Sequence, residues 1–481
     1  MTQQCFAPLV TVYIPCRNYG RYLAQAVESL MCQLHVNWEA FIVDEASTDS
    51  TPAVAAALKT KDPQRLTVVR NDQPIGLQKV ANSILARARG KYIVRLDADD
   101  WFDEGALLLM VAKLESNPRL GLVYGNYFYT DERGQVLGIE RRHRLGVEDV
   151  AGHLPPHGAC TLVRTRSLKA VGGYSEDINA QDGWELWYKL QNRVGAASLD
   201  VPVFYYRQHG ASLSRDNTRL LAARARIFDK VARRLEGAYH PVTLAVIAVR
   251  EDYPGVIGVP YREFEGRSLL EHAILQAAGA KGVSKVIVSS ESPNVLAYAE
   301  SLEKDGIVPQ HLRHQRKDGD LYRQGSTLPV RDILLDVGKF YRDLENVLPD
   351  LMLFLSIHAV RRRSEHIDKA INMVRITESD SVVSVQEERD PVFTHGLTGL
   401  QVLNPGRFHD LSYERERLYS FNGAVIGAWW EVLLEQELLG DSIAYIEMSP
   451  EDSMQIRDPL TLDALKSRVE SGGSKATRVS Q

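Results

Sequence analysis

The sequence predicts an α/β protein made of two Rossmann-like domains in tandem. Short apolar segments rich in β-branched residues alternate with segments of helical spacing from residue 9 onward, as in βαβ units with a parallel sheet. This alternation stops at residues 236–241, where glycine and proline interrupt a helical pattern, and it restarts at residue 244. A length of 481 residues leaves room for two large domains.

Domain boundaries follow from this break in the pattern. We place a first domain at residues 1–236, a linker at 237–241 and a second domain at 242–468. The remaining segment, 469–481, is polar and contains adjacent glycines. It carries too little apolar surface to offset the entropy of ordering, so we predict a disordered tail.

Composition and charge exclude several classes of protein. A net charge of -5 shows no basic excess, so no nucleic-acid partner is expected. The four cysteines lie far apart without a Cys-x-x-Cys pair, which argues against a zinc site or a disulfide framework. The N-terminus lacks the pattern of a signal peptide, and no apolar run approaches the roughly 18 residues of a membrane span. These features predict a cytoplasmic protein.

A basic helical segment at residues 219–235 leaves two interpretations of its surface open. Its arginines and its lysine can make a peripheral contact with anionic lipid at the inner face of the membrane. Alternatively, they form the solvated face of a packed helix.

The elements of the first domain follow from the spacing of apolar residues. Short apolar runs predict strands, and apolar residues three or four apart predict helices. The predicted strands are 9–15, 38–43, 66–70 and 92–96, and the predicted helices are 22–33, 77–89 and 104–113.

Carboxylates follow two of these strands. The strand at 92–96 ends in Asp97-Ala98-Asp99-Asp100, and the strand at 38–43 is followed by Asp44. Open α/β sheets keep their ligand crevice at the carboxyl ends of strands, and carboxylates suit Mg²⁺ or Mn²⁺ held against a diphosphate. Asp44 can accept hydrogen bonds from a base or a ribose. In the alternative interpretation, these residues only cap the helices that follow.

Together these motifs resemble the family-2 glycosyltransferases of GT-A fold, over residues 9–214. The resemblance lies in Pro15, Asn18, residues 43–51, Asn71, Gly76, Asn82 and residues 96–100. It departs from the family at Glu45 and Ala46, where Asp and Gly are usual. What the resemblance implies is a nucleoside-diphosphate-sugar donor bound with Mg²⁺ or Mn²⁺.

The resemblance also implies roles for individual residues. Those implied at the donor are Pro15, Asn18, Asp44, Asp97 and Arg207. Asp99 is implied as a metal ligand. His209 is a further metal ligand, a hydrogen-bond donor to the diphosphate, or a surface histidine with neither role.

The resemblance implies that Asp182, at a predicted helix start, is the catalytic base. Gln181 precedes it where the family usually has Glu. A positioned carboxylate can take the proton of an acceptor hydroxyl, and attack from the face opposite the leaving group would invert the anomeric centre. The alternative is that Asp182 only caps its helix.

The second half, residues 244–466, resembles the cytidylyltransferases that make nucleoside-monophosphate-activated acidic sugars. The resemblance lies in residues 247–250, 258–260, 286–289, 361, 367–371, 380–385 and 422–424. The family's glycine-rich phosphate loop with its lysine is replaced by a segment that contains Glu251, Asp252 and Pro254. The family's metal-binding Asp-x-Asp pair falls on Gln455 and Arg457, with Asp458 as a ligand if the register shifts. The remaining ligand candidates are Arg250, Arg262, Arg361 and Asn422.

Three hypotheses of function follow. The first is an inverting, metal-dependent glycosyltransferase of cell-surface glycan biosynthesis that moves a sugar from a nucleoside diphosphate to a carbohydrate, lipid-linked or protein hydroxyl. Its second domain is then a degenerate nucleotidyltransferase used for binding or for assembly of a homo-oligomer. The second hypothesis is a bifunctional glycosyltransferase and CMP-sugar synthetase. The third is a non-catalytic scaffold that binds sugar nucleotides, which the intact Asp97, Asp99 and Asp182 disfavour.

Overall fold

The computed structural model describes most of the chain. The described residues are 7–140, 157–178, 180–190, 193–209, 217–236, 240–253, 257–317, 329–396, 399–403, 418–435, 438–456 and 461. The predicted tail, Arg457 and Asp458 lie outside these residues.

The described residues form twenty strands and twelve helices. The strands are β1 (Val10–Cys16), β2 (Trp38–Glu45), β3 (Leu66–Asn71), β4 (Tyr92–Arg95), β5 (Trp101–Phe102), β6 (Leu120–Thr130), β7 (Val136–Glu140), β8 (Leu162–Arg164), β9 (Gly195–Arg207), β10 (Thr243–Val249), β11 (Glu263–Phe264), β12 (Arg267–Ser268), β13 (Lys285–Ser290), β14 (Leu312–Gln315), β15 (Leu351–Leu355), β16 (Ser381–Glu388), β17 (Phe393–Gly396), β18 (Gly399–Val402), β19 (Leu418–Trp429) and β20 (Ile443–Glu447). The helices are α1 (Gly20–Met31), α2 (Thr51–Lys61), α3 (Leu77–Arg87), α4 (Ala106–Ser116), α5 (Thr165–Ala170), α6 (Asp182–Leu190), α7 (Asn217–Glu236), α8 (Leu269–Ala278), α9 (Pro293–Lys304), α10 (Val330–Glu345), α11 (Ser364–Ile376) and α12 (Trp430–Glu435). None of the helices in the described residues is long and apolar enough to cross a membrane.

The chain divides into two compact units. Unit 1 consists of residues 1–227 and 389–416, and unit 2 consists of residues 228–388 and 417–481. The domain boundary expected at 237–241 remains a prediction.

Unit 1 is built on a mixed nine-stranded sheet. Its order is β3-β2-β1-β4-β8-β6-β9-β5, with β7 paired to β6. The strands β3, β2, β1 and β4 are parallel to one another, which confirms the predicted parallel sheet for the first four strands. Beyond β4 the prediction of a parallel sheet is wrong, because β8 is antiparallel to both β4 and β6. The strand β7 is antiparallel to β6, since residues 131–135 are too few for the crossover that a parallel pair needs.

Burial explains why the first strands read as continuous apolar runs. Val10, Val12 and Ile14 on β1 are fully buried, and they share one core with Leu23 and Val27 of α1. A strand covered on both faces needs apolar residues at every position. Since β1 is the first strand and lies beside β4, the strand order reverses between them, which is where such sheets bind ligands.

Unit 2 repeats this arrangement with a seven-stranded sheet. Its order is β14-β13-β10-β15-β19-β16-β20. The strands β14, β13, β10 and β15 are parallel, whereas β19 is antiparallel to both neighbours. Here the strand order reverses between β10 and β15.

A buried histidine makes the stability of unit 2 sensitive to pH. Burial and the cations of Lys369, Arg363 and Arg362 hold the pKa of His366 well below its usual range. The Nδ1 atom of this histidine accepts a hydrogen bond from the backbone N–H of Arg363 at 3.1 Å, and its Nε2 lies 3.8 Å from Asp452. The folded protein therefore keeps His366 neutral while the unfolded chain takes up a proton.

We predict that the free energy of unfolding falls as the pH drops below about 6.5, by up to about 1.4 kcal/mol per pH unit from this residue. Urea unfolding of the full chain at about pH 7.5 and about pH 5.5 measures the loss. His366→Gln, which cannot titrate, should lose less stability between the two values. Equal losses in the variant and the wild type would show that His366 is not responsible.

Candidate functional site

The candidate site lies where β1 and β4 end side by side. The two strands pair in parallel, with Tyr13 opposite Arg95, and β2 pairs with β1 on its other side, with Cys16 opposite Asp44. The residues that follow these three strand ends therefore meet at one edge of the sheet. This arrangement brings together the predicted residues from all three segments.

The carboxylate of Asp97 is held by an arginine of the preceding strand. The Nε atom of Arg95 lies 2.9 Å from Asp97 Oδ1, in an ion pair whose arginine is 5% exposed and whose aspartate is 27% exposed. A guanidinium fixed in this way orients the carboxylate and leaves part of it open to a ligand. Arg95 was not among the predicted site residues. The signal that could have identified it is its charge within the apolar run Tyr92-Ile93-Val94-Arg95-Leu96.

Asp99 and His209 form a direct pair. Asp99 Oδ2 lies 2.9 Å from His209 Nε2. The histidine side chain is fully buried, so the interpretation of His209 as a surface residue is wrong. Its ring packs against Tyr19 and Tyr22, with ring centroids 5.7 and 5.5 Å away.

Asp100 is the buried member of the cluster. It is 1% exposed, and its Oδ1 accepts a hydrogen bond from the backbone N–H of Arg207 at 2.9 Å. Burial and the neighbouring Asp99 and Asp97 carboxylates raise the pKa of Asp100 well above its usual value. Its Oδ2 is buried without a hydrogen-bond partner.

Arg207 organises the cluster from within the protein. Its Nε donates to the backbone oxygen of Asp99 at 2.9 Å, and its Nη1 and Nη2 donate to Glu132 O at 2.7 Å and Gln25 Oε1 at 2.6 Å. The guanidinium also lies over the rings of Tyr22 and Trp101. It is 3% exposed. Its predicted contact with the donor remains a prediction, and its observed contacts fix the backbone at Asp99.

Asp44 lies at the end of β2 and is 1% exposed. Its Oδ1 accepts a hydrogen bond from the backbone N–H of Ser47 at 2.9 Å. Its Oδ2 has no hydrogen-bond partner and lies 3.6 Å from Arg70 Nε. The first contact is made within the loop after β2 and does not cap α2, whose N-cap is Ser50, so the interpretation of Asp44 as a helix cap is wrong. The second oxygen makes only the longer contact with Arg70.

Asn18 joins the loops that follow β1 and β2. Its side-chain oxygen accepts a hydrogen bond from the backbone N–H of Thr48 at 2.8 Å, and its own N–H donates to Ser47 Oγ at 2.9 Å. It adopts a left-handed backbone with φ of 59°, which asparagine tolerates better than most residues. Pro15 precedes it at the end of β1, opposite Val43.

Glu45 has a role that the sequence did not reveal. Its Oε2 accepts hydrogen bonds from the backbone N–H groups of Ile75 and Gly76, both at 2.9 Å, and its Oε1 accepts one from the amide of Asn71. The carboxylate therefore holds the segment that leads into α3. The longer glutamate side chain explains the departure at this position.

The predicted base lies at the first residue of α6. The side chain of Asp182 is outside the part of the structure that is described. Gln181, just before it, accepts a hydrogen bond from Arg224 Nε at 3.0 Å. Further along the helix, Glu185 and Lys189 form a buried ion pair at 2.9 Å, and Glu185 accepts the backbone N–H of Ser175 at 3.0 Å.

The donor set fits one divalent cation only in part. A carboxylate and an imidazole, Asp99 and His209, are ligands that Mn²⁺ and Mg²⁺ can share with a diphosphate and water. Among the described residues, no group of three or more His, Cys, Asp or Glu side chains could hold a metal ion unaided.

Two of the predicted ligand candidates in unit 2, Asn422 and Arg262, make hydrogen bonds within the protein. Asn422 is 6% exposed; its Oδ1 accepts from Ser384 Oγ at 2.6 Å and its amide donates to Ser453 Oγ at 3.0 Å. Arg262 Nε donates to the backbone oxygen of Ile257 at 3.2 Å. Arg250 follows β10, and Arg361 lies 3.8 Å from Glu265. In the described part of unit 2, these four residues do not form a single site.

The comparisons with known proteins bear on unit 1. The family model for Glycosyl transferase family 2 matches residues 11–171. The chain carries a family-2 glycosyltransferase domain. For this part of the chain, the predicted family and its α/β, GT-A-like fold are confirmed.

Several curated proteins are similar to part of this chain. A chondroitin synthase from Escherichia coli is 26% identical over 43% of this chain and 30% of its own length. A hyaluronan synthase from Pasteurella multocida is 26% identical over 43% of this chain and 21% of its own. Glycosyltransferase GlyG from Streptococcus pneumoniae is 30% identical over 26% of this chain and 40% of its own. The chain therefore spans less than half the length of each of these relatives.

Solved structures also align with about half of this chain. Mannosyltransferase PcManGT from Pyrobaculum calidifontis, in complex with GDP-Man and Mn²⁺, aligns with a TM-score of 0.39 and 20% identity over 48% of this chain and 65% of its own. TarS of S. aureus in complex with UDP-GlcNAc aligns with a TM-score of 0.38 and 16% identity over 48% of this chain and 67% of its own.

Proposed function

We propose that the protein is an inverting, metal-dependent glycosyltransferase. It moves a sugar from a nucleoside diphosphate to a hydroxyl acceptor. The observation that carries this proposal is the cluster at the end of β4, where the Asp99–His209 pair and the Asp97–Arg95 pair meet the buried Asp100. An electronegative cluster at the point where the strand order reverses suits a cation that neutralises a diphosphate.

Asp99 and His209 would hold the cation. When bound, the cation stabilises the negative charge that develops on the departing nucleoside diphosphate. Arg207 fixes the backbone of Asp99, and Arg95 fixes the carboxylate of Asp97 near the ribose. Asp44, with its unpartnered oxygen, accepts a hydrogen bond from the nucleoside.

Asp182 would act on the acceptor. A carboxylate at the start of α6 takes the proton of the attacking hydroxyl and leaves the anomeric carbon inverted. The buried pair of Glu185 and Lys189 anchors this helix to the turn at Ser175, which limits movement of the base.

The relatives suggest the class of acceptor. They include chondroitin and hyaluronan synthases, so a growing polysaccharide is the acceptor that we propose, within the biosynthesis of a cell-surface glycan. Chondroitin and hyaluronan oligosaccharides are the first acceptors to test. Peripheral contact with a membrane and assembly of a homo-oligomer through the second unit also remain proposals.

A thermal-shift panel of nucleoside mono-, di- and triphosphates, each with Mn²⁺ and with a chelator, tests the donor site. A ligand present at about 100 times its Kd stabilises the folded state by about 2.7 kcal/mol. We expect the largest shift from one nucleoside diphosphate, and only with the metal. Equal shifts with the chelator would contradict the metal-dependent site.

For unit 2 we propose a cytidylyltransferase-like fold without the activity. Its sheet order, in which the first strand β10 lies beside β15, supports a nucleotide-binding ancestry. The loop carboxylate Glu251 accepts hydrogen bonds from Ser292 Oγ at 2.6 Å and from Tyr261 OH at 3.3 Å. In a phosphate-binding loop, hydrogen-bond donors of this kind would bind the phosphate. Here they bind Glu251, whose negative charge repels a phosphate.

Gln455 supports the same proposal. Its amide donates to the backbone oxygen of Asn422, so it serves a structural hydrogen bond where a metal-binding carboxylate was expected. We predict no steady pyrophosphate release from CTP, Mg²⁺ and a panel of acidic sugars with the full chain. Phosphoryl-type transfer requires neutralisation of phosphate charge. The described residues of the expected phosphate loop, Glu251 and Asp252, carry negative charge instead. Steady turnover would support the bifunctional alternative.

A further inference from the structure

Unit 2 contains a cavity that is lined by one of its predicted ligand candidates, Arg361. It has a volume of about 410 Å³ and lies between the β11–β12 hairpin, α8, the segment after β15 and the first turn of α11. This volume is within the range of pockets that bind small organic molecules. We propose that this cavity is a binding site for a small organic anion, with a carboxylate or phosphate held by Arg267 and Arg361.

Positive charge is in excess at the cavity. Four arginines line it, at positions 267, 361, 362 and 363, against three carboxylates, Glu265, Glu365 and Asp452. Asp452 Oδ1 accepts from Arg363 at 3.2 Å, whereas Glu265 lies 3.8 Å from Arg361, beyond hydrogen-bond distance. Arg267 is exposed and makes no ion pair within the described part of unit 2. The guanidinium groups of Arg267 and Arg361 are therefore able to bind an anion.

The inner wall of the cavity has an unmet donor. Arg362 is 1% exposed; its Nη1 donates to Ser356 O at 2.9 Å and Ala424 O at 2.8 Å, and its Nη2 donates to Gln276 Oε1 at 2.9 Å. Its Nε is buried without a hydrogen-bond partner. Buried donors of this kind are rare, so the guanidinium at this wall is not fully compensated by the protein. The three contacts also keep this charge at a fixed position.

The remaining walls indicate an organic ligand with an apolar part. Phe264, Leu275 and Val360 line the cavity beside the arginines, and Phe264 is 2% exposed. Arg361 lies over the ring of Phe264, with its guanidinium carbon 5.7 Å from the ring centroid. The first turn of α11, a thirteen-residue helix, contributes the favourable field of its N-terminus. An inorganic ion would use the charge and leave the apolar wall unfilled.

The cavity shares only one residue with the ligand candidates predicted for unit 2. Arg250, Arg262 and Asn422 do not line it. Of the predicted candidates in unit 2, only Arg361 does. The proposal therefore does not depend on the activity of either unit.

Isothermal titration of the full chain with inorganic phosphate, glucose 1-phosphate and N-acetylneuraminate tests the proposal. We expect saturable binding of the sugar phosphate or the sugar acid with a Kd below about 1 mM, and weaker binding of inorganic phosphate. The two sugar probes decide between phosphate and carboxylate as the bound group. Arg267→Ala and Arg361→Ala should each weaken binding by about tenfold or more, because each removes a charged donor.

Arg342→Ala is the matched control, since Arg342 is an exposed arginine of the same unit that pairs with its neighbour Asp343. It should leave binding unchanged. Both cavity variants remove partly exposed side chains, so the fold should tolerate them. The proposal is overturned if no probe binds saturably at about 10 mM, or if binding survives both cavity variants. It is also overturned if Arg250→Ala abolishes binding while Arg267→Ala does not.

Discussion

Asp99→Asn is expected to abolish metal-dependent binding of the donor nucleotide and to lower turnover on the order of 10³-fold. The amide keeps the size of the side chain and removes the charge that would hold the cation beside His209. Isothermal titration with nucleoside diphosphates and Mn²⁺ measures the loss of binding. The affinity without metal should change little, because the base and ribose contacts are made elsewhere.

Glu104→Gln is the matched control for this experiment. It neutralises an exposed carboxylate in the same segment of the chain and should leave the titration unchanged. If Asp99→Asn binds the nucleotide with Mn²⁺ as tightly as the wild type does, the assignment of Asp99 to the metal is wrong.

Asp182→Asn is expected to leave donor binding intact and to reduce turnover by about 10²- to 10⁴-fold, the usual contribution of a general base. Asparagine caps helices about as well as aspartate, so this variant separates the two interpretations of the residue. If Asp182 only caps the helix, the variant should have wild-type turnover. If Asp182 is the base, the variant should turn over slowly and keep an unchanged thermal midpoint.

Asp182→Ala provides the complementary measurement. It removes the carboxylate and every hydrogen bond that the side chain could make, so it should be as slow as Asp182→Asn. Wild-type turnover in Asp182→Asn, with normal binding of the donor, would assign the base to another residue.

The local part of the candidate site could be predicted from sequence. Asp97, Asp99 and Asp44 follow apolar strand segments, and parallel strands bring their carboxyl ends to one edge. Any parallel pairing of β1 with β2 and β4 would place them together. The prediction needed only strand identity and direction.

The long-range contacts could not be predicted in this way. Arg207 bonds to Asp99, Glu132 and Gln25, which are far from it in the sequence. Glu45 holds Ile75 and Gly76 because of loop geometry that no local pattern encodes. The mixed half of the sheet was missed for a related reason. The direction of β8 depends on its partners β4 and β6, and its three residues carry no period of their own.

The most direct test of the central claim is proton NMR of the anomeric signals during donor turnover. Sugar nucleotides with α-linked sugars are incubated with the full chain and the oligosaccharide acceptors, with Mn²⁺ or with a chelator. We predict a β-linked product that forms only when the metal is present. An α-linked product, or equal rates with the chelator, would contradict an inverting, metal-dependent glycosyltransferase.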